Sequence, residues 1–147
     1  MTKVNAIKFY TITILAFVTL LAPLLPWMSY GVGSKTGIDI GGKPTYIIFI
    51  SALCLIIFNF IIFKTDKIRK VFLFLAFLAS ITLFTFYCYE IIRIAYQTVI
   101  AQSLPVEMFG VVSLSAKEIR VGYGLWVGGS ASLLSMIIHF VTMRLQK

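Results

Sequence analysis

The chain has 147 residues, of which 60% are hydrophobic and 12% charged, with a formal net charge of +8 and a mean hydropathy of +0.99. A soluble domain carries about 25% charged residues, and a disordered chain needs low hydrophobicity, so both classes are excluded. What remains is an integral membrane protein.

Four apolar stretches follow one another near 9–27, 46–63, 71–89 and 121–143, none with a charged residue inside it. Each is long enough for a helix to cross about 30 Å of hydrocarbon at about 1.5 Å per residue. Barrel strands would be half this length and would alternate. The first stretch follows Lys3 and Lys8, as a signal peptide would. It is long for such a segment, however, and ends Ala-Pro-Leu-Leu-Pro-Trp without a small-x-small cleavage site, so it reads as a retained helix. Pro23 and Pro26 fall in its last turns and are expected to end it.

The first connection, Met28–Thr45, holds five of the ten glycines. Its segments Met28–Val32 and Thr36–Ile40 are short, turn-bounded and rich in strand-compatible residues, which predicts strands. The second helix carries Cys54 near its middle and Asn59 near its end. A tight basic turn, Lys64–Lys70, leads into the third helix. That helix continues past Tyr89, because Glu90–Ile100 keeps a helical alternation of apolar and polar positions and Pro105 supplies the stop. Its predicted span is 71–100, about two turns beyond the membrane. In the second connection Val112, Leu114 and Ala116 alternate with Ser113, Ser115 and Lys117, and Ile119, Val121 and Tyr123 alternate again. This period of two predicts strands. The two connections are expected to pair into a small sheet resting on the helix ends.

Candidate residues are few. Glu90 and Arg93 are three apart, hence on one helical face as an ion pair. At about 28 Å along the helix from Val71 they lie at the edge of the hydrocarbon, where a structural role holding the loops outweighs a catalytic one. Trp27 and Trp126, with Tyr30, Tyr46, Tyr89 and Tyr123 nearby, fall at one boundary and read as an aromatic belt. Gly124 and Gly128 form G-x-x-x-G, which Ser132 extends by one turn, a stripe that lets helix backbones approach closely, inside the chain or between copies. Asn59 and His139 are placed to hydrogen-bond across helices, and His139 has no second histidine to make a metal site. Cys54 and Cys88 sit at different depths and form no C-x-x-C, so neither a disulfide nor exchange chemistry is expected. No residue set suggests a cofactor or a metal.

Charge sets the orientation. Eight Lys/Arg (Lys3, Lys8, Lys64, Lys67, Arg69, Lys70, Arg144, Lys147) fall on one side and four (Lys35, Lys43, Lys117, Arg120) on the other, with Arg93 the thirteenth. Cytoplasmic segments collect Lys and Arg, so both termini and the Lys64–Lys70 turn are expected to be cytoplasmic. Nucleic-acid binding would need these charges on one surface, whereas attraction to lipid headgroups explains them.

Leu25-Pro26-Trp27 closing the first helix, Thr36-Gly37 in the loop and Gly122-Tyr-Gly124-Leu-Trp126 opening the fourth resemble a pattern in small bacterial four-helix membrane proteins. The resemblance implies a fold and a bacterial cytoplasmic membrane, and no activity. The layout is also similar to that of claudin-like proteins, but their Trp…Gly-Leu-Trp…Cys…Cys loop signature is not matched, since the first loop has no cysteine. Motifs of the membrane glutathione and eicosanoid enzymes, of the vitamin K epoxide reductases and of small multidrug transporters are likewise missing.

The reading that follows is an all-α membrane fold: one domain over 1–147, four helices (9–27, 46–63, 71–100, 121–143), termini cytoplasmic, and a small extracytoplasmic sheet. The expected function is non-enzymatic: an outer loop surface, with Glu90, Arg93, Trp27, Trp126 and Tyr123 as candidates, docks a membrane or envelope protein. Immunity to a pore-forming toxin is one version. An oligomeric transporter or channel subunit, a homo-oligomer, is the alternative.

Overall fold

The computed structural model describes residues 3–30, 33–65, 69–103 and 119–145. Helix α1, Lys3–Leu21, passes into a 3-10 turn, Ala22–Leu24, and then into strands β1 (Pro26–Tyr30) and β2 (Gly33–Thr36). A one-turn helix α2 (Gly37–Ile40) precedes the long helices α3 (Lys43–Lys64) and α4 (Arg69–Ser103). A two-residue strand β3 (Arg120–Val121) leads into the last helix, α5 (Tyr123–Leu145).

The four long helices close into a ring in which α1 and α4 each pack against both α3 and α5. All four are long and apolar enough to cross a membrane. Their side chains are distributed for lipid rather than water. Ile14, Phe17, Ile50, Ile57, Phe74 and Leu134 point outward, while Ala16, Ala52, Ala76, Ser80, Ser132 and Ser135 are buried between helices. In water an apolar exterior of this extent would drive aggregation. In hydrocarbon, small residues at the interfaces are what allow helices to pack.

A three-stranded antiparallel sheet in the order β2-β1-β3 covers one end of the ring. Ser29 faces Ser34 on one side and Arg120 on the other, and Gly122 N–H donates to Trp27 O at 2.7 Å. The two connections therefore do meet in a sheet. The helices start or end a few residues away from the sequence reading, and three differences have a physical reason. The first helix stops at Leu21 instead of running to Trp27, because Pro23 tightens the chain into a 3-10 turn and Pro26 opens β1. Of Thr36–Ile40 only Thr36 is in a strand, ending β2: Asp39 Oδ2 accepts from both the N–H and the hydroxyl of Thr36, which starts α2 at Gly37. Tyr123 begins α5, so the second connection's strand ends at Val121. The Val112–Lys117 alternation and Pro105 lie outside the described residues.

Gly42 joins α2 to α3 at φ +57°, a left-handed conformation that favours glycine. Pro44 then sits in the first turn of α3, where its missing N–H costs nothing. At the opposite end, Lys8, Phe63, Arg69 and Thr142 line one cavity. The start of α1, the end of α3, the start of α4 and the end of α5 thus meet at one basic end.

Candidate functional site

The sheet-covered end is built around Trp27. A register irregularity in β1 between Pro26 and Met28 rotates Trp27 inward, as bulges do, and its side chain is 0% exposed. Its Nε1 donates to Ala22 O at 3.0 Å, and its ring meets Tyr87 edge-on, centroids 6.1 Å apart. Over the ring lies α2. A methyl group at Gly37 would fall inside the indole, and one at Gly41 would clash with Thr45, so only glycine lets α2 lie this close. Thr45 Oγ1 donates to Gly37 O at 2.8 Å, fastening α2 to α3. Trp27 therefore does not belong to a lipid-facing aromatic belt; it is the plug of the cap. Trp126 and Tyr123 do face outward, 59% and 57% exposed.

Below the plug, Tyr87 on α4 reaches across the ring to α1, its hydroxyl donating to Thr19 O at 2.7 Å. One turn on, Glu90 is fully buried, and Arg93 Nη2 lies 2.8 Å from its Oε2. The same Nη2 donates to Ile40 O at 2.8 Å, so the pair fastens α4 to the C-terminal end of α2. Glu90 Oε1 and Arg93 Nε are buried without a hydrogen bond among the described residues. A buried carboxylate with one cationic partner suits a strut. The carboxylate is fully buried, while the guanidinium side chain is 29% exposed.

The small-residue stripe of α5 faces inward. Gly124 lies against Leu25 and Pro26, Gly128 lies under the ring of Tyr87, and Ser132 is buried with its hydroxyl donating to Gly129 O. All three positions are used within the chain, so the stripe does not offer a free face to a second copy.

Towards the basic end, His139 is fully buried. Its Nδ1 lies 2.7 Å from Ser135 O and 3.3 Å from Ser80 Oγ, and Ser80 and Ser135 hydroxyls are 3.3 Å apart. Asn59 Nδ2 donates to Thr13 Oγ1 at 2.6 Å and to Phe9 O at 3.3 Å. Asn59 and His139 thus cross-link helices. Ser80, Thr13 and Tyr87 carry these contacts, and sequence reasoning passed them over. The inward register of α4 (Ala76, Ser80, Leu83, Tyr87, Glu90) is the signal that could have found two of them.

Cys54 and Cys88 are free and half-buried. Among the described residues no group of three His, Cys, Asp or Glu side chains converges as a metal site would require. Neither family models, nor curated proteins, nor solved structures give a match to this chain. What the fold and the site establish is a polytopic helical architecture with a sheet-capped end.

Proposed function

We propose that this is a non-enzymatic multi-pass membrane protein whose capped end docks another membrane or envelope protein. The observation that carries the reading is the outer face of α4. The helix has 35 residues, about 52 Å of length against about 30 Å of hydrocarbon, so its C-terminal turns overrun the bilayer. There Tyr89, Ile92, Tyr96 and Val99 are each more than half exposed, opposite the buried face of Tyr87, Glu90 and Ile94. An apolar stripe outside lipid is a protein-binding surface in waiting. Trp126 and Tyr123, aromatic types enriched in binding hot spots, are exposed near the same end. The cap beneath, fastened by Trp27, Glu90 and Arg93, gives the stripe a rigid base. The corresponding location is a bacterial cytoplasmic membrane, with the capped end outside and both termini inside. Immunity to a pore-forming toxin is the version that a small, rigid, lipid-embedded binder suits best.

The experiment is site-specific photo-crosslinking in cells, with the reactive side chain at Tyr96 or Ile92 and, as control, at lipid-facing Ile57. A discrete heterologous protein adduct from Tyr96 and Ile92 but not from Ile57, lost in Ile92→Glu, is expected. Lipid adducts alone at all three positions would overturn the reading. The channel or transporter alternative draws on the buried Ser80, Ser135, His139 and Asn59, a polar run in one half of the bundle. It requires a solute flux in proteoliposomes and adducts of twice the chain mass.

A further inference from the structure

The exposed stripe of α4 does not stop where the helix leaves the bilayer. Tyr89, Ile92, Tyr96 and Val99 are spaced alternately by three and four residues, and Leu78, Thr82 and Thr85 continue that spacing towards the start of the helix. Leu78 is exposed like the outer four, and so is Thr85. Positions in this rhythm form one seam, which a second helix can follow at a shallow left-handed angle. Over 71–103 the only charged residues are Glu90 and Arg93. They pair with each other, Glu90 from the buried side of the helix. The seam is therefore neutral throughout, and an uncharged apolar helix meets nothing there that repels it.

Two observations carry the contact into the bilayer. The first is area. Four side chains more than half exposed, at roughly 150–250 Å2 for a whole aromatic one, offer on the order of 500 Å2 outside lipid. A stable interface takes about 800 Å2 from each partner, so the overrunning turns alone fall short. The helix ends at Ser103, and the seam can lengthen only towards the membrane. The second observation is Thr85. It stands about 24 Å along α4 from Arg69, inside the roughly 30 Å of hydrocarbon. The hydroxyls of Thr82 and Thr98 on the same helix donate to Leu78 O and Ile94 O. That of Thr85 has no hydrogen bond with any described residue, and lipid chains offer none. Resting on the docking reading above, we propose that the partner binds through a membrane-spanning helix of its own. That helix follows α4 from Leu78 to Val99 and is apolar and uncharged along the contact. At the depth of Thr85 it carries a serine, threonine, asparagine or glutamine side chain that hydrogen-bonds the Thr85 hydroxyl.

The test places a photoreactive side chain at Leu78 or Thr82, inside the bilayer, and at Tyr96, outside it, in the full chain in cells. The expected result is one heterologous protein adduct common to all three positions. The Leu78 and Thr82 crosslinks should map by peptide mass to an apolar partner segment of at least about 18 residues. Thr85→Val keeps the shape and removes the hydroxyl. It should lower the yield from Thr82 roughly threefold, the size of one interhelical hydrogen bond, and Thr85→Ser should retain it. The melting temperature in detergent should stay the same in both variants, since the hydroxyl serves no contact within the described chain. An adduct from Tyr96 with lipid alone at Leu78 and Thr82 overturns the transmembrane contact and leaves the docking reading standing. Lipid alone at all three positions overturns both. Crosslinks that map to a hydrophilic partner segment, adducts of twice the chain mass, or a yield untouched by Thr85→Val each overturn the proposal.

Discussion

Arg93 serves two partners through one nitrogen, the buried carboxylate of Glu90 and the carbonyl of Ile40. The two ends of this pair are not equivalent. Removing the arginine leaves an anion at 0% exposure with no cation beside it, and uncompensated buried charges cost about 3–5 kcal/mol. Removing the anion leaves a guanidinium that is partly exposed and still holds Ile40 O. Arg93→Met should therefore lower the melting temperature in detergent clearly more than Glu90→Gln, and the double variant should recover much of the Arg93→Met loss. Equal losses from the two single variants would mean that the charge pair contributes little. The expected asymmetry is that of a strut, in which the arginine does the fastening and the glutamate holds the arginine.

At the scale of elements, the shortest α-helix ties the cap together. Helix α2 is four residues long, far too short to persist alone. It exists because Asp39 takes two hydrogen bonds from Thr36, Thr45 holds Gly37 O and Arg93 holds Ile40 O. The two bonds from Thr36 keep the Asp39 carboxyl below its ordinary pKa. A carboxyl whose pKa is lower in the folded state adds stability above the unfolded pKa and loses it as pH falls through the folded value. Amide exchange at Gly41, whose N–H donates to Gly37 O, should thus speed up on acidification below that range, after correction for intrinsic rates. In Asp39→Asn the exchange should be faster at neutral pH and lose this acid dependence. An identical pH profile in both proteins would detach α2 from the carboxyl.

The same element shows what the sequence could and could not convey. Thr36-Gly-Ile-Asp39 is a helix-start pattern, but its β-compatible residues suggested a strand, and over five residues neither signal dominates. The four membrane helices were legible because twenty apolar residues in a row admit few other structures. The sheet was legible in part, from the short turn-bounded segment after Trp27 and from the Ile119-Val121-Tyr123 alternation in which β3 lies. The small-residue stripe announced a close approach, yet its partner, the ring of Tyr87, is fixed only by how α4 and α5 face each other. Trp27 was the hardest. A tryptophan at a helix end looks the same in sequence whether it turns to lipid or to the core, and here a single irregularity in β1 decides.

At the scale of the whole molecule, charge and length give the protein a direction. The basic end gathers the start of α1, the end of α3, the start of α4 and the end of α5, and the sequence places eight of its thirteen Lys and Arg in or between those segments. Cationic segments resist translocation, so this end is expected to stay in the cytoplasm. The overrunning turns of α4 and the sheet would then lie outside. Lys35 on β2 and Lys70 at the start of α4 are both exposed, so cysteines can report from each without disturbing a packed contact. In a background without Cys54 and Cys88, Lys35→Cys should react with a membrane-impermeant maleimide in intact cells, and Lys70→Cys only after the membrane is opened. The reverse pattern would invert the molecule and move the apolar stripe of α4 to the cytoplasm, where an envelope partner could not reach it. Replacing Lys64, Lys67 and Lys70 together with glutamine should erode the labelling difference, because the α3–α4 turn supplies the basic charge between the second and third crossings. A difference that survived all three changes would show that the ends of α1 and α5 are enough to orient the bundle.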